Sequence, residues 1–89
     1  MTNDIDKIKA KIAKLEKERE DTLQSTLVEI RVLGAKGLYY ARANDKNMTL
    51  YIVDCLNIAK SKAEYHNVVK SVNEINVQLD KIEEITNKW

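Results

Sequence analysis

An 89-residue chain makes a single domain, residues 1–89, with a core small enough that self-association would add materially to it. Charged residues make up 33% and hydrophobic residues 44%, with no proline and two glycines, which excludes a loop-rich sandwich or a disordered tail and favours long helices. The formal net charge of +1 gives no whole-chain attraction to nucleic acid, membrane or an acidic substrate, and the lone Cys55 excludes an intrachain disulfide.

The chain opens "MTNDIDKIKAKIAKLEK", which has neither the apolar segment of a signal peptide nor a membrane span. A cytoplasmic, reducing location with no membrane partner is the expectation, and the glycosylation triplet Asn47-Met48-Thr49 then has no consequence. Asn3 or Asp4 is placed to cap a first helix. Ile5, Ile8, Ile12 and Leu15, resuming after Arg19 at Leu23, Leu27 and Ile30, keep the three-four spacing of one helical face. Gly34 and Gly37 fall inside this helix at a cost of about 1 kcal/mol each, so a kink or a close helix crossing is expected at 34–37.

The stretch "LYYARANDKNMTLYIVD", residues 38–54, admits two readings. As strands, 38–43 and 48–53 flank a turn, with Gly34 ending the first helix and Asp54 capping the second. That coiled coil with a β-hairpin tip at 38–53 is similar in outline to prefoldin subunits. As helices, Asn47 caps "MTLYIVDCLNIAKSKAEYH", which sets Ile52, Leu56, Ala59 and Ala63 on one face. The surrounding "GLYYARANDKNMTLYIVDCLNIAKS" resembles the helix-turn-helix of a tetratricopeptide-type pair over a quarter of the chain. The helical reading is preferred, because an isolated two-stranded tip has little stability of its own.

Val68, Val72, Ile75, Leu79 and Ile82 then give a second helical arm. In an antiparallel hairpin, facing residue numbers add to a constant. Ile12 with Leu79, Arg19 with Val72 and Leu23 with Val68 share one value, and Ile8 with Ile82 and Leu15 with Ile75 fall one below it. Lys7 with Glu84, Lys11 with Asp80 and Lys17 with Glu74 set opposite charges face to face in the same scheme. The expected fold is therefore all-α: two long antiparallel helices with the turn near Asn44-Asp45-Lys46-Asn47, assembling into a helical bundle.

Around that turn the apolar residues are too many for one seam. Leu38, Tyr39, Tyr40, Leu50, Tyr51, Val53 and Leu56 form an apolar collar expected to be covered by a second copy, a dimer being favoured, or by an unknown protein partner. Trp89 is expected either to cover Ile5 or to fray.

Residues that could carry chemistry are few. His66 and Cys55 stand about 16 Å apart on a continuous helix, with no further His or Cys to complete a metal site, so neither metal nor cofactor is expected. Cys55 reads as a small core residue without a base to activate it, and Glu83 and Glu84 diverge on adjacent helical positions. No phosphate-binding loop or catalytic triad occurs, so the chain is not expected to be an enzyme. The residues point to a non-enzymatic protein–protein interaction module, a small adaptor, inhibitor or assembly chaperone whose Lys-, Ile- and Asn-rich composition suits a phage or mobile-element accessory protein. The alternative rests on Lys7, Lys9, Lys11, Lys14 and Lys17, which on a dimeric helical hairpin, similar to the Rop-type plasmid regulators in architecture only, would contact RNA or DNA through phosphates.

Overall fold

The computed structural model describes residues 2–89, with side chains from Asp4 onward. Three helices follow in order: α1 (Thr2–Arg42, 41 residues), α2 (Lys46–Tyr65, 20 residues) and α3 (Val69–Thr86, 18 residues). Residues 38–53 are helical on both sides of the turn, and no strand occurs among the described residues, so the β-tip is excluded. Helix α1 already includes Thr2, which puts Asp4 in its first turn rather than at its cap; the Asn3 side chain lies outside the described residues.

Both turns are built the same way. Asn44 and Asn67 adopt a left-handed conformation, each at φ 57°, just past a helix end. Behind Asn44 the Asp45 amide donates to the Tyr40 carbonyl at 2.9 Å and the Asn44 amide to Ala41 at 3.1 Å. Behind Asn67 the Val68 amide donates to Ala63 at 2.8 Å and the Asn67 amide to Glu64 at 3.1 Å. This paired pattern satisfies the orphan carbonyls of a helix end, and asparagine tolerates the left-handed position because its short amide costs little there. Asp45 then caps α2, its carboxylate accepting from the Met48 amide at 3.2 Å, so the cap lies two residues before the Asn47 expected from the sequence.

The break at Asn67 replaces the expected two-helix hairpin with three helices. Helix α2 runs back along α1, and α3 turns again to run parallel to the second half of α1. The parallel register is fixed by Arg31 and Glu74, 43 residues apart and joined at 3.0 Å, with Gln78 donating to the same carboxylate oxygen at 3.1 Å. Of the facing pairs of the hairpin scheme, Leu23 and Val68 still line one groove, but the antiparallel register behind the scheme is lost, and Glu74 is taken by Arg31 instead of Lys17.

Helix α1 continues through Gly34 and Gly37, and the close crossing expected there is realised. A β-carbon on Gly34 would overlap the Gln78 side chain, and one on Gly37 would come within 2.5 Å of Ile82 Cδ1 and 3.0 Å of Ile52 Cγ2. Gly34, Gly37 and Ala41 thus form the small-residue stripe on which α2 and α3 close. Around it lie Ile30, Ile52, Leu56, Ile75 and Ile82, each at most 4% exposed. The chain end reaches the α1–α2 turn, where Lys46 Nζ lies 5.6 Å from the centre of the Trp89 ring. Trp89 is therefore at the opposite end of a 67 Å long molecule from Ile5.

Candidate functional site

Because α2 ends and α3 begins opposite the middle of α1, the first half of α1 projects alone. Every residue from Asp4 to Thr22 is exposed, an arm of about 28 Å at the helical rise per residue. Its apolar stripe, Ile5, Ile8, Ile12 and Leu15, is 48–59% exposed, so no other helix among the described residues covers it. The same face continues through half-buried Leu23 to Leu27 at 8% and Ile30 at 3%, where α2 and α3 take over. The arm is thus a core-facing helix surface deprived of its core. Its charge is divided: beyond Asp4 and Asp6 at the outer end, Lys7, Lys9, Lys11 and Lys14 dominate the outer part, while Glu16, Glu18, Glu20 and Asp21 dominate the inner part, interrupted by Lys17 and Arg19.

Where the arm enters the bundle, a groove of about 960 Å³ opens between Leu15, Thr22, Leu23 and Thr26 on α1 and Ala63, His66, Val68 and Ser71 at the α2–α3 turn. The Thr22 and Thr26 hydroxyls donate back to the Glu18 and Thr22 carbonyls at 2.8 and 2.9 Å. Lys62 stands on the rim beside His66, whose ring meets Tyr65 edge-on at 5.1 Å. The Ser71 hydroxyl is buried without a partner among the described residues.

The collar expected at the tip divides in two. Leu56 is completely buried in the core, and Leu38, Tyr40 and Val53 are half-buried against it, so these four are largely used by the fold itself. Tyr39, Leu50 and Tyr51 remain outside at 70, 59 and 61% exposure. Tyr39 and Tyr51 edge an open groove of about 630 Å³ between α1 and α2, floored by Leu33, Ile52 and half-buried Cys55. Tyr39 also packs against Tyr40 in a T-shaped arrangement with ring centres 5.4 Å apart.

Lys7, Lys9, Lys11, Lys14 and Lys17 are all exposed on the arm, and the acidic residues that the hairpin scheme set opposite them are elsewhere. At 100° per residue Lys7, Lys11 and Lys14 share one stripe, Lys17 stands at its edge and Lys9 lies on another side. Arg31–Glu74 is the one ion pair among the described residues. The Arg31 guanidinium holds the Glu74 carboxyl below the ordinary glutamate range, burial opposes this, and the Gln78 amide adds to the lowering.

The arm was legible in the sequence as an apolar face, but as one filled by the second half of the chain. The base groove was not foreseen, since it exists only because Asn67 turns the chain. No helix among the described residues is long and apolar enough to cross a membrane. Compared with known protein families, curated proteins and solved structures, the chain matches none.

Proposed function

We propose that this protein is a non-enzymatic interaction module, a small helical bundle that self-associates and serves as an adaptor, inhibitor or assembly chaperone for another protein. The observation that carries the reading is the projecting arm, which holds four large apolar side chains in water at seam spacing. Covering such side chains is worth about 1.5 to 3 kcal/mol each, enough to drive association of so small a domain. The exposed tip residues Tyr39, Leu50 and Tyr51 supply a separate surface for the protein partner, because tyrosine gives contact area at low entropic cost.

Light scattering on the full chain tests this. The expected mass is twice 10.3 kDa, and Ile12→Asp returns it to one chain while the circular dichroism of the bundle persists. A wild-type monomer that binds no hydrophobic dye overturns the proposal. Tyr51→Asp is expected to leave the mass unchanged and to abolish partner capture.

A second reading, RNA or DNA binding through Lys7, Lys9, Lys11, Lys14 and Lys17, is favoured by the absence of acidic residues facing these lysines from α3. A salt series separates the two: phosphate contacts weaken steeply as salt rises, whereas an apolar seam does not.

A further inference from the structure

We infer that the occupant of the arm is the arm of a second copy, laid antiparallel in the register that sets Ile12 against Leu15, with each arm's outer end entering the other copy's base groove. This rests on the reading of the arm as the self-association surface and adds its geometry. The apolar stripe is in line with the face of α1 that α2 and α3 cover from Leu27 onward. A helix lying on the stripe therefore occupies the space that α2 and α3 hold further along. Parallel pairing would bring both copies' α2 and α3 between two α1 helices only about 8–10 Å apart, where none fits. Antiparallel pairing sends the two bundles to opposite ends of the assembly.

Charge selects the register. With Ile12 opposite Leu15 of the second copy, the flanking positions set Lys9 against Glu16 and Lys11 against Glu18, each twice by symmetry. The basic outer part of one arm then lies on the acidic inner part of the other. Sliding by one heptad, to Ile8 against Ile12, would add apolar pairs but set Lys9 against Lys9, Lys11 against Lys11 and Asp4 against Glu18. The favoured register accepts Arg19 opposite Ile8, where its stem packs and its guanidinium reaches water.

The groove completes the argument. In this register Ile5 comes opposite Thr22 of the second copy, beside Leu23, at the mouth of the apolar groove. Thr22 has already bonded its hydroxyl to its own helix, which leaves its methyl for packing. The acidic arm end, Asp4 and Asp6, arrives at the rim carrying Lys62 and His66.

Disulfide trapping tests the register in full-length chains carrying Cys55→Ser. Mixed and mildly oxidised, Ile8→Cys and Arg19→Cys chains are expected to form a crosslinked pair, and neither is expected to crosslink with itself. Self-crosslinking of Ile8→Cys indicates parallel arms and overturns the inference, as does crosslinking of Ile8→Cys with Ile12→Cys. A wild-type mass of two chains with no crosslink in any combination also overturns it, yet leaves self-association standing. A monomeric wild type removes both. As an independent check, Lys9→Glu/Lys11→Glu is expected to weaken dimerisation by about ten- to hundredfold, and mixing it with Glu16→Lys/Glu18→Lys to restore it. Failure of the mixture to recover overturns the pairing.

Discussion

Replacing Gly37 by alanine sets two effects of known size against each other. In an exposed helix the change would stabilise by about 1 kcal/mol, because glycine surrenders more backbone freedom on folding. Gly37 is buried, and the added β-carbon would stand 2.5 Å from Ile82 Cδ1 and 3.0 Å from Ile52 Cγ2. Ile82 is 1% exposed and Ile52 4%, so neither can swing into solvent to make room. Overpacking a closed core costs about 1–3 kcal/mol, which outweighs the propensity gain and leaves Gly37→Ala less stable than the wild type, by up to about 2 kcal/mol. Urea unfolding followed by far-ultraviolet circular dichroism, at one fixed protein concentration, measures the difference. Ile82→Val supplies the internal control, since it deletes the atom in closest conflict. Alone it is expected to cost about 0.5–1.5 kcal/mol, and in the Gly37→Ala background its cost should vanish or reverse. A Gly37→Ala protein stabilised by the full propensity gain, or one indifferent to Ile82→Val, would refute the close crossing of α1, α2 and α3.

Two further predictions concern polar groups at the α1–α3 contact. Ser71→Ala is expected to raise stability by about 1 kcal/mol, because it removes a buried hydroxyl without a partner and places a better helix former in α3; thermal unfolding reads this as a higher melting temperature, and a loss would mean that the hydroxyl is bonded. Glu74 has a folded pKa below its unfolded value, so its contribution is present above the unfolded pKa and is lost as pH falls through the folded one. With Arg31 56% exposed, solvent screening limits that contribution to about 1 kcal/mol or less. Arg31→Gln should therefore lower stability slightly at neutral pH and flatten its decline in acid, and an unchanged acid slope in urea titrations would count against the pair.

Much of the architecture could be read from residue types, and the part that could not follows from one residue. The apolar spacing identified helices throughout, Asn44-Asp45-Lys46-Asn47 marked the first turn, and Gly34 and Gly37 announced a close approach. Asn67 plays the same part as Asn44, yet "YHNVV" contains neither glycine nor proline and continues an unbroken apolar rhythm. A left-handed asparagine leaves little trace in such a setting. The hairpin pairing misled because two faces of the same period align in many registers, and only the break at Asn67 decides among them. Its consequence was a transposition. The three-helix core takes in Leu56 and half-buries Leu38, Tyr40 and Val53, residues counted as surplus at the tip, while α3, packed on the second half of α1, leaves Ile5, Ile8, Ile12 and Leu15 without the cover expected of it. The apolar surplus inferred from composition is present, but it is divided between the tip, where Tyr39, Leu50 and Tyr51 stay exposed, and the arm at the other end of the molecule.

That α1 runs without a break from Thr2 to Arg42 has a thermal consequence. A free peptide of the arm's length would hold helix poorly, since starting one is the unfavourable step. Here the first turns are already seeded by the packed half of the same helix, and the arm only has to extend them. Growth from a seeded end frays from the far end inward, so warming should shorten the arm well before the bundle melts. Contact made through Ile5 and Ile8 would then loosen at temperatures where the domain is still folded, making the reach of the arm, and not the survival of the fold, the quantity that temperature controls.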